Sequence, residues 1–429
     1  MSAPIRQSPP SSLDGELSLA QADYHALRSR NLSLDLTRGK PSAAQLDLSA
    51  PMLRLPADRY TAADGTDCRN YGGEPLGLLQ LREIFAPFLG VPAEQLLAAG
   101  NSSLELMHDC LVYALLGILP GAPRRWADEG RIAFLCPVPG YDRHFDLCES
   151  LGIEMIPVDL TDEGPVMDTV EKLVAADPAI KGIWCIPRYS NPDGTCYSQE
   201  TVGRLAAMRT AAPDFRIFWD DAYAVHHLTA EETAVADILT ACERAGHADR
   251  VFVFGSTSKI TLAGAGVAFF GSSSANLAWL RRHAGKSSIG PDKLNQLRHA
   301  LFLGDAEGLR SHMRAHREIL APKFATVLAA FARELDGTGL ASWSTPKGGY
   351  FIALRVLAGC AAEVVRLGRE AGIAVTPAGA THPYRNDPDD SVIRIGPTYP
   401  SPEQLEQIAY GLTVCIRLAG YAKLSTEQG

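Results

Sequence analysis

The sequence predicts an α/β fold, with a mostly parallel sheet in a large domain and a smaller α+β domain following it. Three observations carry that expectation. Short apolar, β-branched or aromatic runs alternate with helix-like stretches from about residue 130 to 270. Polar residues able to do chemistry, namely Asn191, Asp220, Tyr223, Ser256 and Lys259, fall just after the predicted strand ends. Open α/β sheets bind ligands at that edge. The last third instead mixes long helical stretches with two isolated strand-like runs.

The chain has 429 residues, enough for two domains with a sizeable core. Its 46% hydrophobic and 21% charged content is that of an ordinary globular protein. A net charge of -9 without any Lys/Arg-rich block argues against nucleic-acid binding. No apolar run reaches membrane-spanning length, and no apolar signal-peptide core stands near the start. The nine cysteines form no CxxC pair and no metal-like spacing with histidine. Several lie in apolar runs, which points to a reducing cytoplasm and to no bound metal.

Residues 1–16, rich in Pro and Ser, read as a flexible tail. A helix is expected over 17–30, and the segment 17–60 is expected to join the small domain. In DLTRGKPS (35–42), Gly39 and Pro41 fix a loop from which Arg38 and Lys40 face either solvent or a site. Tyr71 and two glycines make a turn before an amphipathic helix over 78–88. Gly100, Asn101, Ser102 and Ser103 then open a helix whose apolar face is Leu106, Met107, Cys110, Leu111 and Ala114. Ser102 and Glu105 have capping-box spacing. Such a small-residue turn presents free N–H groups and a positive dipole end, suited to a phosphate, although a plain helix cap is the commoner role.

Strands are expected over 132–136, 182–186, 216–219, 251–254 and 267–270, followed respectively by PVPGYDRHF, PRYSNPDG, DDAYAVHH, Lys259 and a helical stretch. These belong to a large domain at 61–310. A long helix over 307–335, kinked at Pro322, is the natural connector to a small domain at 311–429. There the pattern gives a strand over 348–354, a helix over 361–371, a strand around Arg394 and a final helix over 402–419.

Lys259 stands between two buried runs, where lost hydration disfavours its ammonium form. That lowers its pKa from about 10.4, as an amine needs to form a Schiff base. A lone lysine in such a place more often snorkels to solvent. Its company favours chemistry: an acid after one strand, an asparagine after another and a helix start suited to phosphate. Together these are fittings for pyridoxal 5'-phosphate. Lys259 would hold its aldehyde, Asp220 its ring nitrogen, and Tyr223 with Asn191 its ring oxygen. The turn at Asn101, Ser102 and Ser103, with Ser256 and Ser258, would take the phosphate. Arg394 would take the substrate's α-carboxylate as a bidentate fork.

The order NPDG, DDAY, STSK and then an isolated arginine resembles the class I aminotransferases of pyridoxal-phosphate fold type I. With DLTRGKPS, CPVPGYDRHF, YSNPDG, STSKITLAGAG and GPDKLNQLRH, the chain is most similar to the bacterial aspartate aminotransferases of subgroup Ic, from Asp35 to the last helix. The resemblance implies a seven-stranded type of sheet and a homodimer with shared sites, in which Tyr71 reaches the partner's phosphate. It implies Asp220 rather than Asp221 as the ring partner, and Gly39 beside the substrate. Three positions depart from the family pattern. Its phosphate arginine is Gly266 here, and its ring-stacking aromatic falls at Val138, leaving that role to Tyr141. Its side-chain arginine falls at Gly285, with Lys286 beside it and Arg38 and Lys40 as further candidates. The implied activity is ping-pong transamination between L-aspartate or glutamate and 2-oxoglutarate. The alternatives are an aminotransferase for aromatic, kynurenine-like or 2-aminoadipate-like substrates, or a lyase on the same fold. Two readings of another class are a pyridoxal-phosphate regulatory module and a nicotinamide-binding protein. Too few residues precede DLTRGKPS for a winged helix-turn-helix, and GAGVAF runs into a strand rather than a helix.

Overall fold

The computed structural model describes residues 12–37 and 39–428. Residues 1–11 of the expected tail lie outside them. The described end is not tail but helix: Leu13–Arg28 begins where the Ser12 hydroxyl accepts from the Gly15 N–H. Ser12 is a good N-cap, and Asp14 and Glu16 suit the positive end of the dipole, so the helix starts earlier than 17. It buries Ala20, Tyr24 and Leu27, and Asp23 pairs with Arg417 of the final helix at 3.1 Å.

The main sheet has eight strands in the order Leu96–Ala98, Ala268–Gly271, Val251–Ser256, Arg216–Asp220, Ile180–Cys185, Ala133–Val138, Glu154–Thr161 and Gly164–Pro165. The central pairings are parallel. Ala268–Gly271 runs antiparallel to both neighbours, and Gly164–Pro165 is a two-residue antiparallel edge. The sheet is therefore mostly parallel, with eight strands rather than seven. Ala133–Val138, Ile180–Cys185 and Arg216–Asp220 are buried at every position, as strands covered on both faces must be. Three strands of this sheet escaped the sequence reading, the two-residue Gly164–Pro165 among them. Glu154–Thr161 lies next to the sheet edge and exposes Glu154, Pro157, Asp159 and Thr161, and Leu96–Ala98 is only three residues long.

Helices cover both faces. On one face, Phe218 packs against Phe134, Phe252 and Phe254 with ring centroids 5.3, 5.4 and 5.7 Å apart. The helix Ser103–Leu116 joins this layer through Leu106, Met107, Cys110, Leu111 and Ala114, the face read from its periodicity. A separate apolar cluster unites Tyr24, Leu27 and Leu36 with side chains from residues 320–419. It surrounds a three-stranded antiparallel sheet of Ala341–Trp343, Ile352–Val356 and Val392–Ile395. The helix Ala306–Leu335 runs unbroken through Pro322 and serves two cores. Leu309 and Met313 lie in the core of the large sheet, whereas Leu320, Phe324, Val327 and Phe331 lie in the C-terminal one.

The strand expected from Gly348 begins only at Ile352. Gly349 has φ +81, and a Cβ on Gly348 would come within 2.3 Å of the Tyr189 ring. The two glycines thus make a turn pressed against Tyr189. The final helix, Pro402–Gln428, is longer than expected. Among the described residues, no helix is long and apolar enough to cross a membrane. All nine cysteines are unpaired; eight are buried, and Cys196 is partly exposed.

Candidate active site

The site is built where the antiparallel strand meets the parallel ones. Between Val251–Ser256 and Ala268–Gly271 the chain makes a tight loop. Thr257 donates its N–H to the Val267 carbonyl at 2.9 Å and accepts the Val267 N–H on its hydroxyl at 2.8 Å. His299 Nε2 lies 3.2 Å from the Thr257 hydroxyl and 2.9 Å from that of Thr261. Asn295 donates to the carbonyls of Ala265 and Gly266. Lys259, in the middle, is therefore held by its backbone. His226 Nε2 and the Tyr350 hydroxyl lie 3.2 and 3.4 Å from its carbonyl oxygen. Its Nζ sits 5.1 Å from the Tyr223 ring centre and 5.8 Å from that of Tyr350. Burial lowers the pKa of this ammonium, and the charge of Asp220 opposes the fall without cancelling it.

A cavity opens in front of the lysine, walled by Ser103, Tyr141, Asn191, Asp220, Tyr223 and Lys259, with Leu104, Met107 and Ile186 between them. Asp220 ends its strand with Oδ2 3.1 Å from His144 Nε2. The imidazole lies flat on Trp184, with centroids 4.2 Å apart at 9°. The other oxygen, Oδ1, is buried with no partner. A buried carboxylate oxygen without a donor is costly, so the site suits a cationic N–H brought in by a ligand. Asp221, its neighbour, does not line the cavity. Its Oδ2 is 3.3 Å from Arg188 Nε, and burial pushes its pKa up to about 6 despite Arg188, with Asp220 adding to the rise. Burial also raises the phenols of Tyr223 and Tyr141, the latter to about 12. Both remain protonated donors at neutral pH.

Arg394 stands on the strand Val392–Ile395, nearly buried, with its guanidinium 5.0 Å from the Phe351 ring centre. Its Nη1 is 3.5 Å from Asn191 Oδ1, which ties it to the cavity wall. Gly39 packs on the same ring, since a Cβ there would meet Phe351 at 2.5 Å. The structure thus gathers Lys259, Asp220, Tyr223, Asn191, Tyr141, Ser103, Arg394 and Gly39 into one neighbourhood.

Other expected residues lie elsewhere. Asn101 is exposed, and Ser102 caps its helix by accepting the Glu105 N–H at 3.2 Å. The hydroxyls of Ser256 and Ser258 hydrogen-bond each other at 2.8 Å. A Cβ at Gly266 would lie 3.1 Å from the Ser258 hydroxyl, so this position crowds any side chain against the serine turn. Val138 is nearly buried within its strand and does not line the cavity, whereas Tyr141 does. Tyr71 is 78% exposed on a loop braced by Lys293, which donates to the carbonyls of Asn70 and Gly72. Lys286 is exposed beyond the helix Ser274–Ala284 and does not line the cavity of its own chain. Lys40 places its ammonium 3.8 Å from the Tyr399 ring centre. Arg38 lies outside the described residues. Among the described residues no group of three or more His, Cys, Asp or Glu is placed to hold a metal.

Sequence reasoning missed His144, Trp184, Tyr350 and Gln45. Gln45 donates to the Tyr350 hydroxyl at 2.8 Å and lies 3.2 Å from His316. Only His144 left a usable signal, three residues after Tyr141 on one helical turn.

A lysine of lowered pKa beside an unpartnered carboxylate oxygen, at the carboxyl edge of a mostly parallel sheet, is the arrangement that suits a pyridoxal-phosphate enzyme. Residues 9–428 match the aspartate amino-transferase family, and the chain belongs to it. A protein of Mycolicibacterium smegmatis named as an aminotransferase is 54% identical over 404 residues, covering 94% of each chain. An aspartate aminotransferase of Corynebacterium glutamicum is 49% identical over 397 residues, covering 92% of this chain and 91% of the other. The crystal structure of an aspartate transaminase from that organism superposes with a TM-score of 0.94 at 47% identity, over 96% of this chain and 97% of that one. The protein is an aminotransferase, and pyridoxal phosphate is its cofactor.

Proposed function

We propose that this enzyme transfers the amino group between L-aspartate or glutamate and 2-oxoglutarate by a ping-pong mechanism. The observation that carries the reading is that Lys259 and Asp220 line one cavity, with Asp220 Oδ1 lacking a donor and Arg394 reaching the cavity wall through Asn191. Lys259 would hold the cofactor's aldehyde and Asp220 Oδ1 its ring N–H. Tyr223 and Asn191 would donate to the ring oxygen, and Tyr141 would cover the ring. The turn at Ser102 and Ser103, with Ser256 and Ser258, would meet the phosphate; no described cation other than Lys259 lines the cavity, so helix N–H groups supply most of its compensation. When bound, the cofactor supplies the electron sink that makes a substrate Cα–H acidic. Arg394 binds and orients the substrate through its α-carboxylate. Lys259 Nζ, whose ammonium form burial disfavours, takes the Cα proton and returns it on the same face. Tyr223 and Tyr350 hold that amine close by their ring faces.

Borohydride reduction and peptide mapping of the purified enzyme should place the pyridoxyl group on Lys259; label on another lysine refutes the assignment. The substrate is tested by half-reactions with a panel of amino acids, read by absorbance. Aspartate and glutamate should exceed alanine, leucine and phenylalanine in kcat/KM. One observation favours a second reading: Leu104, Met107 and Ile186 give the cavity an apolar wall, and among the described residues no second cation lines it. That suits an aromatic or 2-aminoadipate-like donor, and preference for such donors in the panel would move the function there.

We further propose a homodimer. Tyr71 is 78% exposed, and Ile289, 77% exposed, lines a groove that includes Ser102, Arg281, Arg282 and Gly285. A second copy covering this face would bring Tyr71 to the phosphate and Lys286 to the distal carboxylate of its neighbour. Nine unpaired thiols support a cytoplasmic setting. The helix Ala306–Leu335 would join the two domains near residue 311.

A further inference from the structure

We propose that Asp142 is an internal competitor for Arg394, holding the guanidinium fork that a substrate carboxylate must take and so setting the affinity for that carboxylate. This rests on the reading of Arg394 as the carboxylate site.

The geometry is that of a bidentate ion pair. Arg394 Nη1 lies 2.9 Å from Asp142 Oδ1, and Nη2 lies 3.3 Å from Oδ2. The remaining neighbours are neutral: Asn191 Oδ1 at 3.5 Å from Nη1 and Thr376 Oγ1 at 3.4 Å from Nε. The end-on face of the fork, the one best shaped for a carboxylate, is thus filled by a carboxylate of the chain itself. The two partners differ in one respect. The Arg394 side chain is 5% exposed and that of Asp142 31%, so Arg394 stays in place while Asp142 can return to water. Asp142 opens the helix Asp142–Ser150, where the helix dipole favours its charge whether or not it is paired. Burial opposes its ionisation, but the hydrogen bond to Arg394 and the charges of Arg394 and Arg143 hold its carboxyl below the ordinary value.

A buried guanidinium without a counter-ion is strongly disfavoured. Asp142 supplies that counter-ion between turnovers. An arriving carboxylate therefore exchanges one anion for another, and its binding energy is only the difference between two similar pairs. Without the charge of Asp142, the same event becomes capture of an uncompensated buried cation, which is far more favourable.

The test uses the cofactor-loaded enzyme with Asp142→Asn, Asp142→Ser and Asp142→Ala, any one of which decides if it folds by circular dichroism. Propanoate and maleate, which lack an amino group to transfer, serve as probes in calorimetric titration and thermal shift. Their dissociation constants should fall by about fivefold or more relative to wild type. The variants should melt lower without probe, and the probe should raise their melting temperature more than that of wild type. KM for the preferred amino acid should fall with a smaller change in kcat. Equal or weaker probe binding in a folded variant overturns the proposal. Arg394→Lys discriminates the underlying reading: it should weaken both probes whether Asp142 is intact or replaced. If it changes neither, Arg394 is not the carboxylate site, and the competitor proposal falls with that reading.

Discussion

Adjacent aspartates with opposite surroundings give the sharpest test at the scale of single residues. Both keep one buried oxygen without a donor, but Asp220 lines the cavity whereas Asp221 lies outside it with Oδ2 3.3 Å from Arg188 Nε. Asp220→Asn should lower kcat/KM by about 10³-fold or more, and Asp221→Asn by less than about tenfold, in steady-state assays. Stability should respond the other way. The carboxyl of Asp221 rises from 3.8 to about 6 on folding, so the folded chain holds its proton more tightly than the unfolded one between those values. Its charge therefore destabilises the fold fully above pH 6 and not at all below about pH 4, by ~3 kcal/mol on the order of magnitude. Denaturant unfolding should find Asp221→Asn more stable than wild type at pH 8, with the gap closing towards pH 4. Lys259, Asp220 and Asn191 were legible because each stands within about five residues of the end of a buried apolar run. Asp142 and Gln45 were not, because their partners Arg394 and Tyr350 stand 252 and 305 residues away, and periodicity carries no information at that range.

Among the elements, the helix Ser103–Leu116 separates structure from ligand. Ser102 caps it in the protein alone, so Ser102→Ala should cost about 1 kcal/mol of stability measured on the cofactor-free enzyme. A hydroxyl that also meets phosphate would add a loss of cofactor affinity, measured by fluorescence titration. Unchanged affinity would restrict Ser102 to the cap. The apolar face of this helix was readable residue by residue because it repeats every three to four positions. The strand Glu154–Thr161 was not, because its two outer faces differ: near the sheet edge, solvent takes half its residues and breaks the apolar run. Turn chemistry also shifted boundaries. The loop at Gly348 and Gly349 delayed a strand, and the Ser12 cap advanced a helix.

For the whole molecule, the decisive question is whether one site is completed by another chain. Tyr71 is too exposed to serve the cavity of its own chain, so Tyr71→Ala and Lys259→Ala should complement each other. Refolding the two inactive variants together should restore activity, because the mixed dimer contains one site with both wild-type residues. No recovery would place Tyr71 outside the catalytic apparatus. The parallel order of the sheet followed from the alternation of the chain, whereas the surface proposed for a second copy has no periodic signature. One further consequence comes from the cysteines. Eight of nine are sealed inside the fold, and Cys196 accepts the Tyr189 N–H on its sulfur at 3.4 Å in the loop beside Asn191. The protein therefore carries its own two-stage clock for alkylating reagents. Slow reaction of Cys196 would time the opening of the loop that holds Tyr189 and Asn191, and the sudden release of eight more would mark the loss of the entire fold.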